Sequence, residues 1–335
     1  MSTYKEINGI KVQSLSSDPP SPFEGEVWYN SSSNSLKFSG GVIASSWASG
    51  GALGTARYDS GGCGLQTAAL CFGGSDQDEV RVTATEAYNG TSWSGGGAMS
   101  TARNKLGGFG TQTAAVGCGG YTGAPSSPGG PGTTENYNGT SWTSGGTMGT
   151  ARRNMGSAGT QTAGLVFGGY VGAPTYSTDA TEEYDGSAWT AGGVLPAIKQ
   201  YNSGCGTQTA ALSIGGYDAP LAAVFEYNGT SWTAGGSLPV AKSDLASAGI
   251  QTAAFAAGGV AAPGAGVLAT TDTYDGTSWT GATAMSTARK QFQGGAGTKA
   301  NGLVFGGLIP PSVAQNLTEE FSGGAAAGTR TIETD

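Results

Sequence analysis

Apolar residues in this chain fall in short runs closed off by glycine or polar residues. The plainest is Thr67-Ala68-Ala69-Leu70-Cys71-Phe72, entered through Gln66 and left through Gly73-Gly74. A run of that length between turn residues reads as a strand. A second pattern brings a strand to a tyrosine, turns on two residues and resumes at a tryptophan: Glu135-Asn136-Tyr137, Asn138-Gly139, then Trp142. Asn-Gly, and pairs such as Asp185-Gly186, suit two-residue hairpin turns, whose central residues take positive φ. Apolar residues nowhere recur at helical spacing across a window of about 11 residues. The pattern predicts an all-β fold.

The two patterns alternate along the chain. Trp47, Trp93, Trp142, Trp189, Trp232 and Trp279 are separated by 46, 49, 47, 43 and 47 residues. Ten residues after each comes a cation: Arg57, Arg103, Arg152, Lys199, Lys242 and Arg289. Gln66, Gln112, Gln161, Gln208 and Gln251 each stand seven residues before a Gly-Gly doublet, and Lys299 takes that place in the sixth copy. Apart from one residue inserted upstream of Lys299, length varies only between the doublet and the next tyrosine, where the gaps are 15, 18, 16, 12 and 16 residues. Self-similarity at this period marks a repeat architecture, and four short strands per unit suggest a β-propeller. The last copy ends in Thr318-Glu319-Glu320-Phe321-Ser322-Gly323 with no tryptophan after it, while Trp47 precedes the first complete unit. The Trp47 strand is therefore expected to complete the last blade. That gives six blades, closed by pairing N-terminal with C-terminal strands, which removes open sheet edges.

The order of doublet, tyrosine and tryptophan resembles the kelch repeat of galactose-oxidase-type propellers, over residues 41–323. The resemblance implies architecture and leaves activity open, because propellers host many functions.

Residues 1–40 lie outside the repeat and read as a small β-hairpin module. Tyr4 to Ile7 and Ile10 to Gln13 flank Asn8-Gly9, Ser16 to Pro22 reads as a linker, and Glu26 to Asn30 with Ser35 to Phe38 forms a second hairpin. Residues 324–335 read as a C-terminal tail. The segment Phe23-Glu24-Gly25-Glu26-Val27-Trp28-Tyr29-Asn30 with Leu36-Lys37-Phe38 is similar to one near the N-terminus of virion proteins of marine tailed bacteriophages. Repeats with Thr-Ala-Arg and Gly-Thr-Gln-Thr-Ala-Ala, as at 150–152 and 110–115 here, are similar to theirs too. The resemblance implies a phage tail, baseplate or fibre-associated protein, assembled in the bacterial cytoplasm and present in multiple copies per virion. The N-terminal module would dock on other virion proteins and the propeller would meet a host-surface glycan or receptor. The alternative is a lectin-like, carbohydrate-binding propeller on a cell surface or secreted. The opening MSTYKEINGIKV lacks the apolar core of a signal peptide, which favours the first expectation.

Composition narrows the chemistry. The chain has no histidine, so Ser-His-Asp and Cys-His catalysis are excluded, and the copper ligands of galactose oxidase do not carry over. Glu86, Glu135, Glu182 and Glu226 recur before the tyrosines, and a group repeated in most blades reads as structural. No enzyme activity, cofactor or metal is expected. With a net charge of −8 and no apolar run near 18 residues, neither nucleic-acid binding nor membrane insertion is expected. Cys63, Cys71, Cys118 and Cys205 read as small buried hydrophobes. Asn89, Asn138 and Asn228 begin Asn-Gly-Thr turns, and Asp76, Asp78 and Glu79 make an acidic loop.

In a four-stranded blade the doublet-to-tyrosine loops and the cation-bearing returns lie on one face. Recognition belongs to loops more than to scaffold. Candidate binding residues are therefore Tyr121, Tyr170 and Tyr217 on the variable loops, with Arg57, Arg103, Arg152, Lys199, Lys242 and Arg289. Two roles are open to the cations: a positive ring for an anion or acidic sugar, or bonds to strand-end carbonyls and neighbouring carboxylates.

Overall fold

A computed structural model describes residues 3–7, 10–20, 26–40, 44–123, 129–218, 222–261, 266–292, 295–324 and 328–332. Every regular element among them is a strand. The chain divides into two compact units, Ser46–Gly323 and Met1–Ser45 with Gly324–Asp335.

The larger unit contains six four-stranded antiparallel sheets among the described residues. The first runs Gly61–Leu65, Ala68–Phe72, Thr85–Tyr88 and Trp93–Gly95. Leu65 pairs with Ala68, so Gln66-Thr67 is the turn between its first two strands. Four more sheets repeat this order around Gly107–Thr111, Gly156–Thr160, Ser203–Thr207 and Ala246–Ile250 as first strands. The sixth joins Ala296–Gly297, Asn301–Phe305 and Thr318–Ser322 to Ser46–Ser49, with Phe321 opposite Trp47. The N-terminal strand thus completes the last sheet.

Burial follows strand position. First strands are rich in glycine, alanine and serine because they crowd together. Each lies against the next in order, and the sixth lies against the first. Together they line a narrow space of about 100 Å³. A Cβ on Gly64, at φ 102°, would stand 2.3 Å from the Ala68 carbonyl oxygen, so glycine is required there. Second strands carry the apolar runs and are almost wholly buried. The four cysteines are free thiols in these two layers, and burial pushes Cys118 and Cys205 up to about 12.

Three devices join neighbouring sheets. Each Trp packs on an aromatic or aliphatic core residue of the preceding sheet, as Trp142 on Phe72 at 4.8 Å and Trp232 on Phe167 at 4.8 Å. In five of the six, all but Trp279, Nε1 donates to the threonine that opens the preceding sheet's third strand, as Trp142 to Thr85, Trp189 to Thr134 and Trp232 to Thr181 at 2.9–3.0 Å. Each turn Gln clamps two carbonyls of the preceding sheet. Gln161, for example, donates to Ala115 O and Tyr137 O at 3.0 and 2.7 Å. Gln66 does the same to Gly302 O and Phe321 O of the sixth sheet. Lastly, the second Gly of each doublet donates its N–H to the carbonyl of the next copy's cation, as Gly74 to Arg103 O (2.9 Å) and Gly307 to Arg57 O (2.9 Å). A Cβ on Gly215 would lie 2.2 Å from Lys242 O, which is why the doublet tolerates no side chain.

The smaller unit is a five-stranded sheet in the order Thr3–Ile7, Ile10–Leu15, Val27–Asn30, Ser35–Gly40, Gly328–Ile332. The tail segment read from sequence thus supplies a strand, pairing antiparallel with Ser35–Gly40. Asp18 organises this sheet. It accepts from Asn30 Nδ2, Lys37 Nζ and Trp28 Nε1 at 2.7, 2.9 and 3.0 Å, and these partners hold its carboxyl below the usual range. Asn8-Gly9, Ser21-Pro22 and Phe23 to Gly25 lie outside the described residues.

Candidate functional site

The six cations are fully buried side chains. Their terminal nitrogens bond within the fold, while Nε of Arg103 and of Arg289 is buried without a partner. In four copies the pattern is the same. Arg103 Nη1 donates to Gly119 O and Thr133 O, both at 3.0 Å, while Nη2 reaches Glu135 Oε1 at 2.9 Å. Arg152 pairs with Glu182, Arg289 with Glu319 and Arg57 with Glu86, and Lys242 meets Asp272 at 2.7 Å. Burial lowers the Arg103, Arg152, Arg289 and Lys242 pKa values against the pull of these carboxylates. The arrangement matches the second of the two roles read from sequence. Each of the four arginines ties the start of its own variable loop to its own third strand.

The fourth copy differs. Glu226 does not occupy the place of Glu86, Glu135 and Glu182; it lies one residue later and so points to the other side of its strand. There it accepts from Tyr274 Oη at 2.5 Å. Phe225 stands where the carboxylate would be, with Lys199 Nζ 5.9 Å from its ring centre and 3.1 Å from Asp218 O. Burial, opposed by Asp218, brings Lys199 down to about 8.

The variable loops and cation returns do meet, through bridges such as Tyr58 with Ser75, Asn104 with Tyr121 and Arg153 with Tyr170. Just beyond each cation is a pair of residues that, taken together, is different in every copy: Tyr58-Asp59, Asn104-Lys105, Arg153-Asn154, Gln200-Tyr201, Ser243-Asp244 and Lys290-Gln291. The second of each pair takes a left-handed backbone, with φ between 53° and 59°. Asp and Asn visit that conformation on their own, whereas Lys, Tyr and Gln hold it when the surroundings impose it. Here the cause is a chain of backbone bonds. Lys105 N donates to Asp59 O, Asn154 to Lys105, Tyr201 to Asn154, Asp244 to Tyr201, Phe292 to Asp244, and Asp59 to Gln291 O, at 2.8–3.4 Å. The chain of bonds returns to its start.

Above this collar lies a cavity of about 430 Å³, lined by Arg153, Tyr170, Gln200, Tyr201, Tyr217, Asp244, Lys290 and Gln291. A second space of about 250 Å³, lined in part by Arg81, Lys105 and Tyr121, shares Gln291 with it. Tyr170 and Tyr217 therefore converge on one cavity, and Tyr121 on its neighbour. Tyr121 carries the guanidinium groups of Arg81 and Arg153 over its ring at 4.7 and 4.5 Å, and Arg153 also lies 4.5 Å from the Tyr170 ring centre. Tyr217 is 57% exposed and meets Tyr201 edge-on at 6.3 Å. Among the described residues neither Arg153 nor Lys290 forms a salt bridge. Asp244 Oδ1 is buried without a hydrogen-bond partner, and burial, opposed by Lys105, Ser243 and Lys290, raises that carboxyl to about 6.

In the acidic loop, Asp76 Oδ1 accepts from the backbone N–H of Asp78 and Val80 at 3.0 and 2.9 Å, which makes it a turn. Asn89, Asn138 and Asn228 cap their own turns in the same way. Residues 124–128, 219–221 and 262–265 of the variable loops lie outside the described residues.

The collar residues were not singled out from the sequence, although a signal was there. Within a nearly constant segment, a polar pair at fixed spacing from the cation is different in every copy. No protein-family model and no curated protein matches the chain.

Proposed function

We propose that the larger unit is a closed six-bladed propeller of kelch type, and that the protein is a non-enzymatic structural component of a phage virion. In this reading its loop face meets a host-surface receptor or partner, and the smaller unit docks on other virion proteins in several copies. The observation that carries the reading is a division of labour inside the repeat. Residues held constant from copy to copy go into the scaffold: Trp, the turn Gln, the doublet and the cation. Residues that vary, in kind and in loop length, gather at one mouth. A surface of that design suits recognition more than catalysis.

Two variants test it. Virions carrying the protein with all six variable loops reduced to short Gly-Ser turns should assemble and fail to adsorb. Protein lacking 1–45 and 324–335 should stay folded and be missing from purified virions by mass spectrometry. Normal adsorption by the first, or normal incorporation of the second, removes the corresponding half of the proposal. The lectin-like reading keeps a place because tyrosines and hydrogen-bonding groups share one cavity, a common composition for small-ligand sites.

A further inference from the structure

We propose that the 430 Å³ cavity binds a hexuronic acid unit, a sugar ring bearing a carboxylate. The inference rests on the reading that the loop face carries recognition, and it names the ligand class.

Three features point to that chemistry. The first is charge. Arg153 and Lys290 reach the cavity without salt-bridge partners, in a chain whose net charge is −8. A guanidinium and an ammonium at one concave site attract a carboxylate, and the guanidinium pairs with its two oxygens at once. The stack of Arg153 over Tyr121 and Tyr170 holds the guanidinium plane in place before any ligand arrives. The second is an acceptor in need of a donor. Asp244 Oδ1 is buried and lacks a hydrogen bond. Phosphate dianion, with two negative charges and a single O–H, adds repulsion beside this carboxylate, whereas a sugar acid brings several hydroxyl donors and one negative charge. Gln200 and Gln291 add amide groups of both kinds on the same wall. The third is the apolar wall. Tyr217 is exposed at 57% and braced by Tyr201, which leaves ring surface for the C–H face of a pyranose. The cavity volume lies in the range of small-ligand sites, about 300–1,000 Å³.

The test uses the purified full chain and three probes: sodium glucuronate, glucose and inorganic phosphate, titrated by calorimetry and by ligand-observed NMR. Glucuronate is expected to bind with Kd on the order of 1 mM or tighter. Glucose and phosphate should each bind at least tenfold more weakly. Tyr217→Ala and Lys290→Gln remove one wall and one charge from partly exposed positions, and each should weaken glucuronate at least tenfold. Lys290→Gln should also bring its affinity towards that of glucose, which a purely structural role would not do. Absence of glucuronate binding, equal affinity for glucose, or phosphate binding as tight as glucuronate overturns the inference. If both variants bind glucuronate normally, the site is elsewhere and the inference is wrong. The readout is independent of virions. Glucuronate can bind even if loop-grafted virions adsorb normally, so failure of the receptor reading is distinguishable from failure of this one.

Discussion

Val224→Thr should stabilise this protein, which is unusual for a polar substitution at a site 1% exposed. Five of the six repeat tryptophans donate Nε1 to a threonine Oγ1 on the preceding sheet, at 2.9–3.1 Å. Trp279 is the exception: its Nε1 is buried without a partner. The residue opening the preceding sheet's third strand is Val224, where the other sheets have Thr85, Thr134, Thr181, Thr271 and Thr318. A buried donor left unpaired costs about 1–3 kcal/mol. Threonine has the shape of valine, so the new hydroxyl replaces a methyl without changing volume, and losing that methyl from the core costs about 1 kcal/mol. The net gain is about 1 kcal/mol, or about 2 °C in Tm for a unit of this size. The mirror variant Thr181→Val strands Trp232 Nε1 and should cost about 1–3 kcal/mol. Denaturant unfolding gives both values, and the indole N–H of Trp279 should gain hydrogen-exchange protection in the first variant alone. If Val224→Thr destabilises, or leaves indole exchange unchanged, the assigned role of the Trp–Thr bond is wrong.

Gln161→Ala removes two carbonyl clamps and should lower stability by about 1–2 kcal/mol, while Lys299→Gln should add a clamp on the fifth sheet and raise it; opposite signs in thermal melts check the pair. Glu135→Ala leaves Arg103 buried beside an empty place and should cost about 3–5 kcal/mol in a denaturant titration. Asp244 has a raised pKa, so between about pH 4 and 6 the folded state keeps a proton the unfolded state has lost. Stability from this group therefore falls as pH rises through that window, and the penalty is complete above pH 6. Asp244→Asn should raise stability by about 2 kcal/mol at pH 7.5 and by little at pH 4, and equal gains at both would refute the assignment.

The scaffold was legible because its signals are short-range. Spacings from Trp to cation and from Gln to doublet are fixed by strand and turn lengths, so they survive in one dimension. The strand of Trp47 could be assigned to the last sheet by counting, and it pairs there. The bonding role of the cations was among the readings the sequence offered, but a ten-residue spacing fixes position and does not by itself exclude an outward-facing ring. Grouping Glu226 with Glu86, Glu135 and Glu182 failed on a one-residue offset, which in a strand reverses the face. The collar was hidden for a different reason. Its left-handed residues include Lys105, Tyr201 and Gln291, types with no local preference for that conformation, and it is imposed by bonds to the neighbouring copies.

The pairing of Ser46–Ser49 with Thr318–Ser322 also sets a schedule for biosynthesis. Phe321 follows Trp47 by 274 residues, so at about 5–20 residues per second the first strand waits roughly 15–50 s for its partner. Gln66 waits as long, because one of its two acceptors is Phe321 O. During that interval five sheets can stack side by side while both flanks of the growing array stay open. Closing so distant a contact is slow, and the open flanks of two nascent chains fit one another as well as they fit themselves. Refolding at high concentration should therefore yield exchanged oligomers, in which Trp47 of one chain seats against Phe321 of another. Dilution, which favours intramolecular closure, should suppress them.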